Sequence, residues 1–334
     1  MFIIMRKSIP LVSILVHFIF YSCTEKDKTP TFSYNYDFAR LAIEYFETGD
    51  TTLIEKIAST GGAKHIYNHA KQFSREDFDY GLPLESRSEM ITALLSPHEE
   101  KKQFLSEYKI ALEYAKDSIE DSGIVSRIIP EFLPADFTFR DSTFLFFTLG
   151  YDLGVTFDGN SSINLAHSHY RENLKEIKFY SIHEMHHAGF LQVKNSSLPS
   201  IDFKNHAEVK SFIEYFTQLE GMATYAAYDI RKREKGLNTD KDYIALQNDS
   251  LMDKLEEEYF KIYEHFSKNP DAPVTQVDWE LIFQLSGKRL WYRVGARIAQ
   301  NIDTVHGREY LTKLIKTNPN KFIKEYLSLK NIPG

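Results

Sequence analysis

The chain has 334 residues, and its 43% hydrophobic, 14% aromatic and 26% charged residues are typical of a globular protein and exclude a disordered one. The formal net charge of −7 argues against nucleic acid as a partner. Because Cys23 is the one cysteine, a disulfide within the chain is excluded.

The first segment has the pattern of a bacterial lipoprotein leader. A basic pair precedes the apolar run Ile9–Phe20, which is short for a membrane span, and a small residue stands directly before Cys23. We predict a signal peptide over residues 1–22 and a lipidated tether over residues 23–33, with acylation at Cys23. Ordinary secretory cleavage and an uncleaved anchor are the alternatives. The predicted location is the bacterial cell envelope, lipid-anchored in the membrane, with the protein periplasmic or surface-exposed.

Residues 34–334 are predicted to form one catalytic domain, which begins with a helical part over residues 34–128. Apolar residues recur there at helical spacing. His65 and His69 also stand four residues apart, but no acidic residue adjoins them, so we expect packing or surface roles; a second metal site is the alternative. The predicted helices are Phe38–Phe46, Leu53–Ala58, Ala63–Ala70, Ser86–Leu95 and Glu99–Ser118.

The pattern changes to short alternating or continuous apolar runs over residues 129–170, which predicts a small sheet. We choose Ile163–Ala166 as an edge strand that could take an extended peptide as an additional strand; an ordinary hairpin is the alternative. The predicted strands are Phe137–Phe139, Phe144–Leu149, Val155–Phe157 and Ile163–Leu165.

The helical part over residues 171–334 contains the motif His183-Glu184-x-x-His187, in a helix predicted from near Tyr170 to near Gly189. Residues four apart lie on one face of a helix, so both imidazoles can bind one ion. Glu184 lies about 100° round the helix from His183, where it can reach a water on the same ion. Two histidines, a third ligand and an open position describe a catalytic Zn²⁺ site with Glu184 as general base.

A later helix, predicted from about Ala207 to Arg233, offers three candidates for the third ligand. Glu208 lies near the helix start, where the dipole favours an acidic residue. Glu214 shares a polar face and is predicted to be solvated. Glu220 shares an apolar or small stripe that predicts burial, and a buried carboxylate needs a cation, so we assign it as the third ligand. A pair with lysine or arginine is the alternative for Glu220.

The C-terminal helices hold candidates for stabilising the negative charge that develops on a cleaved carbonyl. Tyr292 shares a face with glycine and alanine and is our choice; Tyr225, His306 and Arg297 are the rivals. A plain packing role is the alternative for Tyr292. The predicted helices here are Tyr243–Lys268, Trp279–Asn301, Arg308–Lys316 and Lys321–Leu329.

The H-E-x-x-H motif followed by Glu220-Gly221-Met222-Ala223 resembles the gluzincin type of zinc metallopeptidase, and more narrowly the zinc-dependent peptidases of undefined substrate among bacterial lipoproteins. The resemblance covers most of the chain. It implies an α+β, mainly α fold: a gluzincin-like catalytic core with a small sheet preceding the H-E-x-x-H helix and flanking helical subdomains. It also implies Zn²⁺ as cofactor and a peptide or protein as substrate. The exopeptidase motif Gly-x-Met-Glu-Asn of the aminopeptidases is absent from the sequence.

Two further functions remain open at this point. A zinc site closed by His186, His167 or His169 would be structural, in a non-catalytic surface lipoprotein. We expect His186 rather to support a ligand, since it lies on the flank of the helix away from Glu184. A zinc amidase acting on a cell-wall peptide is the other alternative.

Overall fold

The computed structural model describes residues 32–73, 81–195 and 199–330. The predicted signal peptide and lipidation site at Cys23 lie outside these residues. Within the described ranges, no helix is long and apolar enough to cross a membrane. The expected class is confirmed, since the chain is mainly helical with one small sheet.

The N-terminal helices follow the apolar spacing. Phe38, Ala42 and Phe46 recur every four residues on α1 and are buried, and the helix ends at Gly49 in the left-handed conformation that glycine adopts without strain. The helices are α1 Asp37–Thr48, α2 Leu53–Ser59, α3 Gly61–Phe73, α4 Arg87–Leu95, α5 His98–Lys102, α6 Leu105–Ala115 and α7 Ile124–Ile128, with a π-helical turn at Lys116–Asp121 and a 3₁₀ turn at Ile129–Phe132.

The sheet has four strands in the order β1-β2-β4-β3. The first three of these are parallel neighbours and β3 is antiparallel to β4. Asp158-Gly159 joins β3 to β4; both residues have positive φ, which suits a tight hairpin. The strands are β1 Ser33–Asn35, β2 Phe144–Thr148, β3 Gly154–Phe157 and β4 Asn160–Asn164.

Two strand predictions are wrong. Phe137–Phe139 alternates in sequence but is not a strand; its two phenylalanines pack edge to face instead. Ile163–Ala166 is not at an edge, because β4 is paired on both sides, with β2 and with β3. The edge strand at this end of the sheet is β3. The structure also adds β1, where we predicted tether and helix.

Helix α9 connects the sheet to the remaining helices. α9 packs on β3 and β4 on one side and on α10 on the other, and α10 crosses α15. The backbones meet at Gly221 of α10 and Gly295 of α15. The helices are α8 Ser168–Glu172, α9 Lys175–Lys194, α10 His206–Ala226, α11 Tyr228–Arg233, α12 Lys241–Leu246, α13 Asp249–Lys268, α14 Gln276–Gly287, α15 Leu290–His306, α16 Arg308–Lys313 and α17 Asn320–Lys330, with a 3₁₀ turn at Leu314–Lys316.

Candidate metal centre

The motif helix differs in its bounds from the prediction. Tyr170 belongs to the separate short helix α8, and extended backbone at Asn173 ends that helix. α9 then continues five residues beyond the predicted end at Gly189 and stops at Asn195 in the left-handed conformation. Most of α9 is buried, so its buried polar side chains need partners inside the protein.

A buried ion pair fixes the N-terminal end of α9. The guanidinium of Arg231 donates to both carboxylate oxygens of Glu176, at 2.8 and 2.7 Å, and both residues are at most 1% exposed. This bidentate geometry is the strong form of a charge-assisted hydrogen bond. Thr239 and His169 also contact the same carboxylate. The start of the motif helix is therefore held by α11 and the loop after it.

Hydroxyl groups of the sheet hold the middle of α9. The Ser161 hydroxyl donates to the main-chain carbonyl of Glu184 at 2.8 Å, and the Thr156 hydroxyl lies 2.9 Å from the Glu184 carboxylate. At Gly154 a Cβ would lie 2.9 Å from Cγ of Glu184, so glycine gives this carboxylate its space beside the edge strand. Farther along, the Gln192 amide donates to the Gly159 carbonyl at 2.8 Å.

The structure brings His183, His187 and Glu220 together. Nε2 of His183 and Nε2 of His187 are 3.0 Å apart. One carboxylate oxygen of Glu220 lies 3.1 Å from Nε2 of His187 and 3.4 Å from Nε2 of His183. The two ring planes are nearly perpendicular, at 87°. Two imidazoles from α9 and one carboxylate from α10 thus converge on a single point.

These distances fit one face of a tetrahedral metal site. Ligand atoms about 2.1 Å from a central zinc are about 3.4 Å from each other in a tetrahedron. The three observed separations of 3.0, 3.1 and 3.4 Å come close to that edge. The donor set of two nitrogens and one oxygen is also one that zinc accepts. The side chains present therefore fit the ion, and among the described residues no fourth histidine, cysteine, aspartate or glutamate joins them.

Burial and mutual proximity shift the pKa values in the site. Burial, with the His187 imidazole nearby, lowers the pKa of His183 to about 4, which favours the neutral ring that a metal requires. Burial would raise the pKa of Glu220, but the two histidines beside it hold that pKa well below its usual range. Burial raises the pKa of Glu184 to about 7, against the opposing effect of His187. A carboxylate with such a pKa can accept and return a proton near neutrality.

His183, His187, Glu220 and Glu184 line a pocket of about 320 Å³. Tyr292 also lines it, with its ring nearly parallel to that of His183 at a centroid distance of 6.2 Å. Other lining groups come from β3, α3 and the loop before β3: Gly154, Val155, Thr156, His69, Phe73 and Asp152. The pocket therefore lies between the edge strand β3 and the helices α9, α10 and α15.

The rival residues for charge stabilisation lie elsewhere. The Tyr225 hydroxyl donates to Asp303 at 2.7 Å, and Arg297 is paired with Asp253. His306 is at the far end of α15, with its ring against Tyr310. Among the candidates named from the sequence, only Tyr292 lines the pocket.

The other two acidic candidates do not join the site. Glu208 is exposed, and its main-chain N–H is capped by Asn205. Our prediction that Glu214 is solvated is wrong: it is 5% exposed and accepts a hydrogen bond from Tyr263.

The histidines weighed as a fourth ligand have other environments. Nδ1 of His167 accepts from the main chain at the start of α8, and His169 pairs with Glu176. His186 is fully buried and packs against the ring of Phe190. The described residues therefore offer three protein ligands at this site.

Sequence reasoning missed the groups that come from outside the two ligand helices. Thr156 and Gly154 are unremarkable in a strand pattern, and nothing in the sequence pairs them with Glu184. His69 was expected to pack or to be exposed; it is 9% exposed, bonds the Tyr151 hydroxyl at 2.8 Å through Nδ1, and reaches the pocket. Its four-residue spacing from His65 was a signal, but its location in the pocket depends on tertiary packing.

Comparison with known proteins identifies a family. Residues 54–330 match the model of the DUF5700 family, which is described as "Putative zinc dependent peptidase". No curated protein and no solved structure matches the chain. The matched range contains the three converging side chains of His183, His187 and Glu220, together with Glu184 and Tyr292.

Proposed function

Because the chain belongs to the DUF5700 family, we propose that it is a zinc-dependent peptidase that hydrolyses peptide bonds at the pocket between β3 and α9. The observation that carries this proposal is the convergence of His183, His187 and Glu220 within 3.4 Å of each other, beside a carboxylate that is not part of the triangle. In this proposal the site is of the gluzincin type, with the acidic ligand from the helix after the motif.

The residues of the site have different roles in the proposed hydrolysis. His183, His187 and Glu220 would hold the metal, and bound zinc supplies a Lewis acid that polarises a carbonyl and lowers the pKa of water. Glu184 takes the proton from the attacking water and delivers it to the leaving amine. Thr156 orients the Glu184 carboxylate by a 2.9 Å hydrogen bond, so that the proton acceptor keeps a fixed direction.

Tyr292 is the proposed donor to the carbonyl oxygen as negative charge develops on it. Its ring lies over the guanidinium of Arg289, with Cζ 3.6 Å from the ring centroid, and Arg289 is held by Asp242 at 2.7 Å. Burial raises the pKa of Tyr292 well above its usual value, so the hydroxyl keeps its proton and can donate it in a hydrogen bond. A donor fixed in this way stabilises a developing oxyanion.

Strand β3 is the proposed binding edge for the peptide. It is paired with β4 on one side only among the described strands, and three of its residues, Gly154, Val155 and Thr156, line the pocket. An extended peptide can add to such an edge by main-chain hydrogen bonds. This arrangement would place one peptide carbonyl between Glu184 and Tyr292.

Replacing Glu184 tests the mechanism. In Glu184→Gln the zinc content should equal that of the wild type, while the rate of peptide hydrolysis falls by about a hundredfold or more, since the proton acceptor is lost. Glu208→Gln removes an exposed carboxylate of the same type and should change neither quantity. Wild-type hydrolysis by the Glu184 variant would refute its role as base.

Replacing Glu220 tests the ligand set. Glu220→Ala should lose zinc on dialysis, because the carboxylate is one of three ligands. Glu214→Gln is the matched control: it removes another buried carboxylate from α10, with a partner in Tyr263 but outside the pocket, and should keep zinc. Full zinc retention in Glu220→Ala would exclude Glu220 as ligand.

We also propose that the protein is a lipid-anchored envelope protein, on the support of the leader pattern before Cys23. Expression with a radiolabelled fatty acid should label the wild type and not Cys23→Ser. Equal labelling of both would refute acylation at this cysteine.

A further inference from the structure

A second group of metal-binding side chains lies away from the pocket, where three helices meet end to end. It consists of His206 in the first turn of α10, His265 in the last turn of α13 and Asp278 in the first turn of α14. One potential ligand atom from each lies within 4.8 Å of the other two. Glu220 is fourteen residues farther along α10 than His206, a distance of about 21 Å along the helix axis, so this group is separate from the proposed active site.

The distances bring both imidazoles to one carboxylate. Nε2 of His265 is 2.6 Å from Oδ1 of Asp278, and Nε2 of His206 is 3.3 Å from Oδ2. The second separation matches the edge of about 3.4 Å expected in a tetrahedral zinc site. The first separation, 2.6 Å, is shorter than this edge, and an outward movement of the His265 ring by less than about 1 Å would lengthen it to about 3.4 Å. The His265 side chain is 43% exposed on the last turn of α13, so solvent-side space is available for that movement.

The charge balance at this group favours a cation. Asp278 is 2% exposed, and its carboxylate is bonded by Thr275 and the two histidines. No lysine or arginine of the described residues forms an ion pair with it. A buried carboxylate that lacks a permanent cation is costly, and a bound divalent ion supplies one.

A second cluster of the same residue types in this protein differs because an arginine neutralises its carboxylate. His169, Glu176 and Asp240 also lie within 4.8 Å of each other. There the carboxylate of Glu176 already receives both N–H groups of Arg231 and the hydroxyl of Thr239. Because the guanidinium of Arg231 neutralises the Glu176 carboxylate, that group has no need of an ion. The group around Asp278 has the ligand atoms without the arginine.

We propose that His206, His265 and Asp278 form a second binding site for a divalent transition metal, with zinc as its natural probe. The donor set of two imidazoles and a carboxylate suits zinc, and the exposed flank at His265 lets water complete the coordination. The ion would join the ends of α10, α13 and α14. It would stabilise the start of the helix whose later turns carry Glu220, without taking part in hydrolysis.

Metal analysis of the purified protein after equilibration with zinc and removal of unbound ion tests the proposal. The wild type should hold two zinc ions per chain. His187→Ala and His265→Gln should each hold one, and the double variant none. Glutamine at 265 keeps a hydrogen-bond donor for Asp278, so the loss reports on ligation rather than on the hydrogen bond. His306→Gln removes an exposed histidine on α15 and should still hold two.

Thermal unfolding of His187→Ala gives a second measurement, in which His206, His265 and Asp278 are all unchanged. In His187→Ala, zinc at about a hundredfold excess over its Kd should raise the Tm by roughly 4 °C, and the rise should vanish when His265→Gln is added. One zinc ion in the wild type with none in His187→Ala, or two ions in His265→Gln, would overturn the second site. Because zinc content and Tm are measured without peptide hydrolysis, these results test the second metal site independently of the proposed peptidase function.

Discussion

The crossing of α10 and α15 gives a sharp test of how backbone contact positions the metal ligand. At Gly221, next to Glu220, an added Cβ would lie 2.3 Å from the main-chain carbon of Gly295 and 2.4 Å from its Cα. At Gly295 an added Cβ would lie 2.4 Å from the carbonyl oxygen of Thr217. Since carbon atoms in contact prefer about 3.5 Å or more, Gly221→Ala forces the helices apart by about 1 Å.

That displacement exceeds what a metal ligand tolerates. Ligand distances in a working site hold to within about 0.2 Å, so a shift of about 1 Å at Gly221 moves the Glu220 carboxylate out of its ligand position. We expect the Kd for zinc to rise about 10- to 100-fold, the size of effect seen when the support of a ligand is lost. Overpacking should also lower the free energy of unfolding by about 1–3 kcal/mol.

Zinc affinity is measured by competition with a chromophoric chelator, and the free energy of unfolding of the zinc-free protein by urea titration. Gly287→Ala is the matched control, because no heavy atom lies within 4 Å of the Cβ that it adds at the end of α14. It should leave zinc affinity unchanged and the stability equal or slightly higher. If Gly221→Ala behaves like Gly287→Ala in both measurements, close backbone contact does not position Glu220.

Three further predictions concern single side chains. Tyr292→Phe should lower kcat by about 10²–10³-fold in a peptide assay, whereas Tyr225→Phe should not, and equal rates would refute the proposed oxyanion role. Thr156→Val should lower kcat with unchanged zinc content by metal analysis; loss of zinc would contradict this. Burial lowers the pKa of His65 to about 4 and that of His69 to about 3, so only the unfolded chain takes up their protons below about pH 6.5. The free energy of unfolding should therefore fall by about 2 kcal/mol per histidine from pH 7 to pH 5 in urea titrations, and equal slopes in His65→Phe would contradict this.

The parts of the site that could be predicted are those carried by helical spacing. The four-residue step between His183 and His187 places both rings on one face whatever the surrounding fold is. The apolar stripe around Glu220 is likewise a local property of one helix; it favoured this residue over Glu214, and the position of Glu208 at the helix start set that residue aside. The helices and the small sheet also followed from sequence periodicity, and the family resemblance implied the α+β, mainly α class.

The parts that could not be predicted depend on contacts between distant segments. Glu214 has a polar sequence neighbourhood on its own helix, yet it is buried because the Tyr263 hydroxyl of α13 reaches it at 2.7 Å. The edge position at this end of the sheet belongs to β3 because β4 pairs with the distant strand β2 as well as with its hairpin partner β3, and so lies inside the sheet. Strand order is set by such long-range pairing, and no single strand sequence encodes it.

The same long-range contacts explain why the ligands converge so closely. α9 is held at its start by Arg231, in its middle by Ser161 and Thr156, and near its end by the contact of Gln192 with Gly159. Arg231 joins the start of α9 to α11, and the other three contacts join α9 to the β3–β4 hairpin; together they fix its rotation about its own axis as well as its position. A helix that could turn by even 20° would move an imidazole about 6 Å from the axis by about 2 Å, beyond the tolerance of a metal bond. The sheet hydroxyls and the buried arginine therefore stabilise the arrangement of the proposed metal centre, although none of them is a proposed ligand.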